Sequence, residues 1–132
     1  MQPRIFWRKV HYWISIVTAA PLLVILGTGL LLQVKKDVHW IQPREQRGRG
    51  VAPEISFEQI FAACMAVPQT GIEQWSDIHR MDLRPSRGLL KVVSRSGWEV
   101  QIDIADGRVL QTAYRRSDWI ESLHDGSWFG GF

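Results

Sequence analysis

Histidine side chains are the groups in this 132-residue chain that could ligate a metal or a haem iron. His11 and His39 flank an apolar run and lie 28 positions apart, which is about 42 Å along a continuous helix. Two ligands of one iron must both lie within bonding distance of it, so this pair cannot share a site. His79 lies among charged residues and is interpreted as solvated, whereas His39 and His124 could both lie beyond the far end of the apolar run.

Carboxylates and thiols offer little further chemistry. Asp103 and Asp106 flank a predicted turn, and turn formation explains them better than a pair of catalytic acids does. Cys64, the single cysteine, lies on an apolar helix face and is predicted to be buried and inert. The sequence contains no metalloprotease, phosphate-loop, dinucleotide-binding or dithiol motif. We therefore predict a protein that is not an enzyme and that holds no resident metal or cofactor.

The apolar run determines the class of protein. No Asp, Glu, Lys or Arg occurs between Val10 and Val34, and residues 14–34 alone span about 30 Å as a helix, the thickness of a bilayer core. A buried helix of a soluble protein would show a polar face, and the apolar part of a signal peptide is shorter. We predict an uncleaved transmembrane helix over residues 14–34.

Aromatic residues and glycines support a membrane environment. Rings that flank a span commonly lie at headgroup level. Small residues let a neighbouring helix approach closely, as predicted here at Gly27 and Gly29. The predicted membrane-interface residues are Trp7, Tyr12, Trp13, Trp40, Trp128, Phe129 and Phe132.

Charge is divided unevenly along the chain. Residues 1–50 carry eight Lys or Arg and two acids, whereas residues 51–132 carry eight and eleven. The short N-terminal segment, residues 1–13, is predicted to be cytoplasmic or interfacial, and the long remainder periplasmic in a bacterial inner membrane, because long segments cross largely regardless of charge. The basic linker over residues 35–53 is expected to meet anionic lipid headgroups or an acidic partner. The mildly acidic remainder disfavours nucleic-acid binding.

Residues 54–116 predict a small α+β domain. Ser56 and Gln59 have the spacing of a capping box at the start of an apolar helix. Extended segments follow over residues 78–84, 88–94 and 98–104, and the pair Asp106-Gly107 predicts a two-residue hairpin turn into a returning strand. We expect one helix packed on an antiparallel meander, with a core thin enough to need a partner or the membrane.

The third of these segments alternates in polarity. Residues 98, 100, 102 and 104 are apolar, and Glu99, Gln101 and Asp103 alternate with them. This is the period of a half-buried strand, which places the polar residues on the solvent side.

The C-terminal segment, residues 117–132, predicts an amphipathic interfacial helix. Trp119, Ile120 and Leu123 form its apolar side, and glycines at 126, 130 and 131 end it early. We expect this segment to return to the membrane surface that the span leaves near Trp40.

Several elements together resemble the PepSY-associated transmembrane family. A basic-His-x-Trp entry, a Thr-Gly pair near the far end of the span, an aromatic-Pro exit and a Leu-His-x-Gly element occur in the family's order. The helix, the strands and the Asp-Gly hairpin resemble a PepSY domain. The matching residues are Arg8, Lys9, His11, Trp13, Thr28, Gly29, Trp40, Pro43, Leu123, His124 and Gly126.

The resemblance implies a role in a membrane complex. His11 matches the family's membrane histidine, which implies haem ligation only where partner helices complete the site. We expect a shortened, single-span accessory subunit, without catalysis, that packs against other subunits of an electron-transfer complex, respiratory or photosynthetic. The alternatives are the N-terminal fragment of a multi-span, haem-binding ferric-siderophore reductase and a PepSY inhibitor or chaperone of a protease.

Overall fold

The computed structural model describes residues 3–130, which fall into two compact units. Met1–Lys35 and Ser117–Phe132 form one, called here the helical unit. Lys36–Arg116 form the other, called here the sheet unit. Three helices, α1 (Pro3–Gln33), α2 (Phe57–Met65) and α3 (Arg116–His124), and four strands, β1 (Ile78–Arg84), β2 (Leu89–Ser94), β3 (Trp98–Asp103) and β4 (Val109–Tyr114), occur within the described residues. The α+β class is therefore confirmed.

Helix α1 is long and apolar enough to cross a membrane. It has 31 residues, and 6% of its most apolar window is buried, whereas a core helix of a soluble protein would be mostly buried. The helix begins at Pro3, whose missing N–H is harmless in a first turn, and so includes most of the predicted N-terminal segment as well as the predicted span.

The sheet is an antiparallel meander in the order β1-β2-β3-β4. The strand predicted over residues 78–84 is present with those bounds. The two-residue hairpin was wrong: the Asp103 N–H donates to the Arg108 carbonyl at 2.9 Å, so four residues make the turn. Ile104 explains the difference, because its side chain is fully buried and its N–H donates to the Gly88 carbonyl instead of to β4.

One face of the sheet packs on α2 and holds the apolar core. The predicted capping box is present: the Gln59 N–H donates to the Ser56 hydroxyl at 3.2 Å, and the Ser56 N–H donates to the Gln59 side chain at 2.8 Å. Cys64 is fully buried here, and its burial raises the pKa of the thiol to about 11. The buried apolar residues are Ile60, Cys64, Ile72, Leu90, Val92, Val100, Ile102 and Ile104.

The opposite face of the sheet contradicts the prediction of a solvated side. Glu99, Gln101 and Asp103 are 1%, 0% and 0% exposed. Part of the predicted basic linker, residues 41–50, runs across this face and bonds to Gln101 and Asp103; we call it the strap. The pattern of β3 was therefore that of a strand covered on both faces, with a polar layer on one of them.

Candidate membrane and partner surfaces

Gln101 is the central contact between strap and sheet. Its side-chain oxygen accepts from the Gln46 N–H at 2.7 Å, and its amide group donates to the Arg44 carbonyl at 2.9 Å. The same amide group donates to Glu99 at 2.7 Å, and Glu99 pairs with Arg115 at 2.5 Å. The polar layer is thus a hydrogen-bonded network that fixes the course of the strap.

Two carboxylates, one in the sheet and one in the strap, bond the strap to the sheet unit. Asp103 accepts from the N–H groups of Ala105 and Arg49, each at 3.0 Å, and these bonds keep the pKa of its carboxyl below the usual range. Glu45 accepts from the Lys91 ammonium at 2.6 Å, which lowers the pKa of Glu45. Both carboxylates are therefore stabilised in the ionised form by the folded sheet unit: Asp103 by the N–H groups of Ala105 and Arg49, and Glu45 by Lys91.

Glycine allows the strap to approach the sheet backbone. A Cβ atom on Gly48 would lie 1.9 Å from the Gly88 carbonyl oxygen, closer than any side chain can be accommodated. Gly88 has φ 65°, in the left-handed region that favours glycine. Two glycines far apart in sequence therefore meet at this crossing.

Within the helical unit, α3 runs alongside α1 in the opposite direction. Glu121 pairs with Lys35 at 2.5 Å, and the His124 Nδ1 atom lies 3.0 Å from the Ile25 carbonyl and 3.3 Å from the Thr28 hydroxyl. Thr28 lies about 9 Å along the helix inside the predicted boundary at Val34. The C-terminal segment therefore contacts α1 within the predicted span, and its placement at a membrane surface stays a prediction.

The two glycines predicted to pack helices differ. A Cβ atom on Gly29 would lie 3.0 Å from the His124 ring, so the chain's own α3 occupies that side. A Cβ atom on Gly27 would meet nothing within 4 Å. Of these two glycines, Gly27 is therefore the one that offers an unoccupied surface for a further helix.

The predicted membrane-interface aromatics are exposed wherever the structure describes them. Trp7, Tyr12 and Trp13 lie along the first part of α1. Trp128 and Phe129 follow α3 in a short 3-10 turn, beyond Gly126 with φ 78°. Phe132 lies outside the described residues.

Trp40 has a specific neighbour in the sheet unit. The Arg116 guanidinium lies 4.7 Å from the centroid of the Trp40 ring and 5.5 Å from that of Tyr114, and it donates to the Trp40 carbonyl at 3.2 Å. Such cation–π contacts orient a ring without burying it. Sequence reasoning missed this contact because Trp40 and Arg116 are far apart in the chain.

His11 lies exposed on α1 and is not brought together with His124. His124 contacts the Ile25 carbonyl, and Ile25 lies 14 residues after His11 in α1. The two histidines are therefore about 21 Å apart along the helix. These two imidazoles cannot ligate one haem iron. Among residues 3–130, no three His, Cys, Asp or Glu side chains cluster as a metal site would require.

No family model, curated protein or solved structure matches this chain.

Proposed function

We propose that this chain is a non-catalytic, single-span accessory subunit of a bacterial inner-membrane complex, in which α1 packs beside helices of partner subunits and the sheet unit, with a PepSY-like fold, lies in the periplasm. The observation that carries the proposal is the surface of α1. It exposes large apolar side chains along its length, from Ile5 to Leu31, and Gly27 faces open space. Water is a poor environment for such a surface, whereas lipid and apolar helices suit it.

Gly27 favours a partner helix over lipid alone. Glycine within a helix costs about 1 kcal/mol relative to alanine, and lipid contact recovers none of that. Close approach of another helix does, because a missing Cβ brings the two backbones into contact. At Gly29 the space of the missing Cβ is filled by the His124 side chain of α3, which leaves Gly27 for a contact between chains.

The sheet unit supports a structural role. Its buried acids and bases are joined to one another and to the strap, and every buried side-chain nitrogen or oxygen in residues 3–130 has a hydrogen-bond partner. Groups held in this way fix a surface and are poorly placed to exchange protons with a substrate. Participation in electron transfer, and the kinship with PepSY-associated proteins, rest on the sequence resemblance.

Mild detergent extraction tests the proposal. The wild-type chain should migrate with partner subunits on a native gel, and Gly27→Leu should release it as a free monomer because the added side chain blocks close approach. Ala19→Leu is the matched control, since it adds similar bulk about 80° around the helix. A wild-type chain found only as a free monomer, or identical behaviour of the two variants, contradicts the proposal.

The alternative of a multi-span haem reductase has a separate test. His11 would then need a second ligand from helices beyond those described here, since His124 lies about 21 Å away along α1. A haem absorption band in the purified native protein that disappears in His11→Ala would favour this alternative. The accessory-subunit proposal expects no such band from this chain.

A further inference from the structure

Two adjoining polar cavities open on the strap side of the sheet unit. Their volumes are about 520 and about 490 Å³, and they share Lys36, Gln42, Glu45 and Arg84 in their walls. We call them together the basic cradle. Its cationic side chains are Lys36, Arg44, Arg80, Arg84, Arg87, Lys91 and Arg115.

Positive charge exceeds negative charge in the cradle. Seven cations line it against three carboxylates, those of Asp37, Glu45 and Asp82. Glu99 pairs with Arg115 at 2.5 Å. The side chains that line the cradle therefore carry more positive than negative charge.

The ion pairs account for some of these cations and not for others. Glu45 pairs with Lys91 at 2.6 Å and with Arg87 at 3.2 Å, and Asp82 pairs with Arg84 at 2.8 Å. Lys36 and Arg44 form no ion pair within residues 3–130, and both are exposed. These two side chains are available to an anion that enters the cradle.

We propose that the basic cradle binds the phosphate of an anionic membrane lipid. Guanidinium and ammonium groups are the side chains that bind phosphate best, the first by paired hydrogen bonds and the second as a point charge. The chain itself favours a lipid as the source. Lys36 follows Gln33, the last residue of α1, by three residues in the chain, so this wall of the cradle is tied covalently to the apolar helix by a linker of about 11 Å at most.

Binding in the cradle is more specific than a general attraction of the basic strap to membranes. Arg49, also in the strap, is turned to the sheet, where it pairs with Asp103 and Asp106. Arg47 is exposed and lines neither cavity. A diffuse electrostatic attraction would therefore depend equally on Arg44 and Arg47, whereas binding in the cradle would depend on Arg44 and not on Arg47.

A pair of double variants of the full chain in neutral detergent separates these cases. Lys36→Gln/Arg44→Gln removes two cradle charges, and Arg47→Gln/Arg108→Gln removes two exposed charges elsewhere in the sheet unit. Native mass spectrometry would measure retention of short-chain phosphatidylglycerol, with short-chain phosphatidylcholine as the neutral reference. We expect the cradle variant to lose roughly tenfold or more in apparent affinity for the anionic lipid, and the control variant to match the wild type.

Three results would overturn the proposal. Equal losses in the two double variants would show diffuse attraction alone. Equal retention of the two lipids by the wild type would show that the cradle does not distinguish an anionic headgroup from a zwitterionic one. Displacement of phosphatidylglycerol by millimolar inorganic phosphate would identify soluble phosphate as the occupant. Circular dichroism spectra that match the wild type in both variants verify that the fold is intact.

Discussion

The surface of α1 and the strap face of the sheet distribute side chains in opposite ways. Helix α1 exposes leucines, valines and tryptophans, and its buried residue is the polar Thr28. The strap face buries Glu99, Gln101 and Asp103 together with Lys91. Each region reverses the usual rule that apolar side chains are buried and charged ones exposed.

The two regions tolerate this reversed distribution of side chains for different physical reasons. A buried charge is tolerated where an opposite charge and hydrogen bonds replace water, and the sheet unit supplies these from its own chain. An exposed apolar surface is tolerated where the surroundings are apolar, and those surroundings come from outside the chain. The buried polar layer of the strap face is therefore satisfied by the chain itself, whereas the exposed apolar surface of α1 is not.

The largest expected effect comes from removing one charge of the buried layer. Glu99→Gln removes the buried carboxylate charge that pairs with the Arg115 guanidinium at 2.5 Å and should lower the free energy of unfolding of the sheet unit by about 3 kcal/mol. Urea unfolding of the full chain in detergent, followed by tryptophan fluorescence, would measure it. Asp82→Asn, in an exposed pair with Arg84, is the control and should change little. Equal effects of the two variants would mean that water reaches the polar side chains beneath the strap.

Replacing each of two glycines with alanine should give the next largest difference in stability. Gly48→Ala places a methyl group 1.9 Å from the Gly88 carbonyl oxygen, so the strap must move away, at a cost of about 2 kcal/mol or more. Gly27→Ala meets open space and should leave the isolated chain as stable or slightly more stable. Thermal unfolding of both variants checks the pair. A stable Gly48→Ala chain would show that the strap is loosely held.

Lowering the pH should destabilise the packing of the strap and leave the helicity of α1 unchanged. The pKa of Asp103 is lowered by the N–H groups of Ala105 and Arg49, and that of Glu45 by Lys91. Their stabilisation is full above the ordinary carboxyl pKa of about 4 and is lost as pH falls through it towards the lowered folded values, because the unfolded chain takes up protons first. Helix α1 contains no acid.

Urea unfolding of the full chain at pH 7, 5, 4 and 3 would measure this loss. Asp103→Asn should reduce the slope of the pH profile of the sheet unit, since one of the two carboxylates that bond strap and sheet together no longer titrates. Loss of α1 helicity over the same range would contradict the assignment of the titration to the strap.

The smallest expected effect lies between α1 and α3. Lys35→Gln removes the pair with Glu121, whose side chains are partly exposed, and should weaken the docking of α3 by about 0.5 kcal/mol. Hydrogen exchange at the amides of Arg116–His124 would report it, with added salt reproducing part of the change in the wild type. Complete loss of protection would mean that the ion pair, and not the His124 contact, holds α3.

Local patterns predicted local structure well. The Ser56–Gln59 capping box, the bounds of β1 and the burial of Cys64 each depend on residues within one turn or one strand. The apolar length of α1 was equally readable, since it depends on composition alone.

The strap was missed because it depends on contacts between distant parts of the chain. The bond from Gln46 to Gln101 joins residues 55 positions apart, and no periodicity within β3 distinguishes a polar layer under a strap from a solvated face. Two signals were present: an Arg-rich run whose charge complements Glu99 and Asp103, and Gly48, which permits close backbone approach. The basic cradle follows from the same long-range folding and was equally hidden.

Cys64 gives the sheet unit a built-in kinetic reporter. With a pKa of about 11, about one thiol in ten thousand is ionised at pH 7, and the Cys64 side chain, which α2 holds in the core against the sheet, is completely buried. A thiol reagent can therefore react only during those moments when α2 separates from the sheet. The rate of labelling of the native chain thus records how often the domain opens, in detergent, in a membrane or within a complex, with no engineered label.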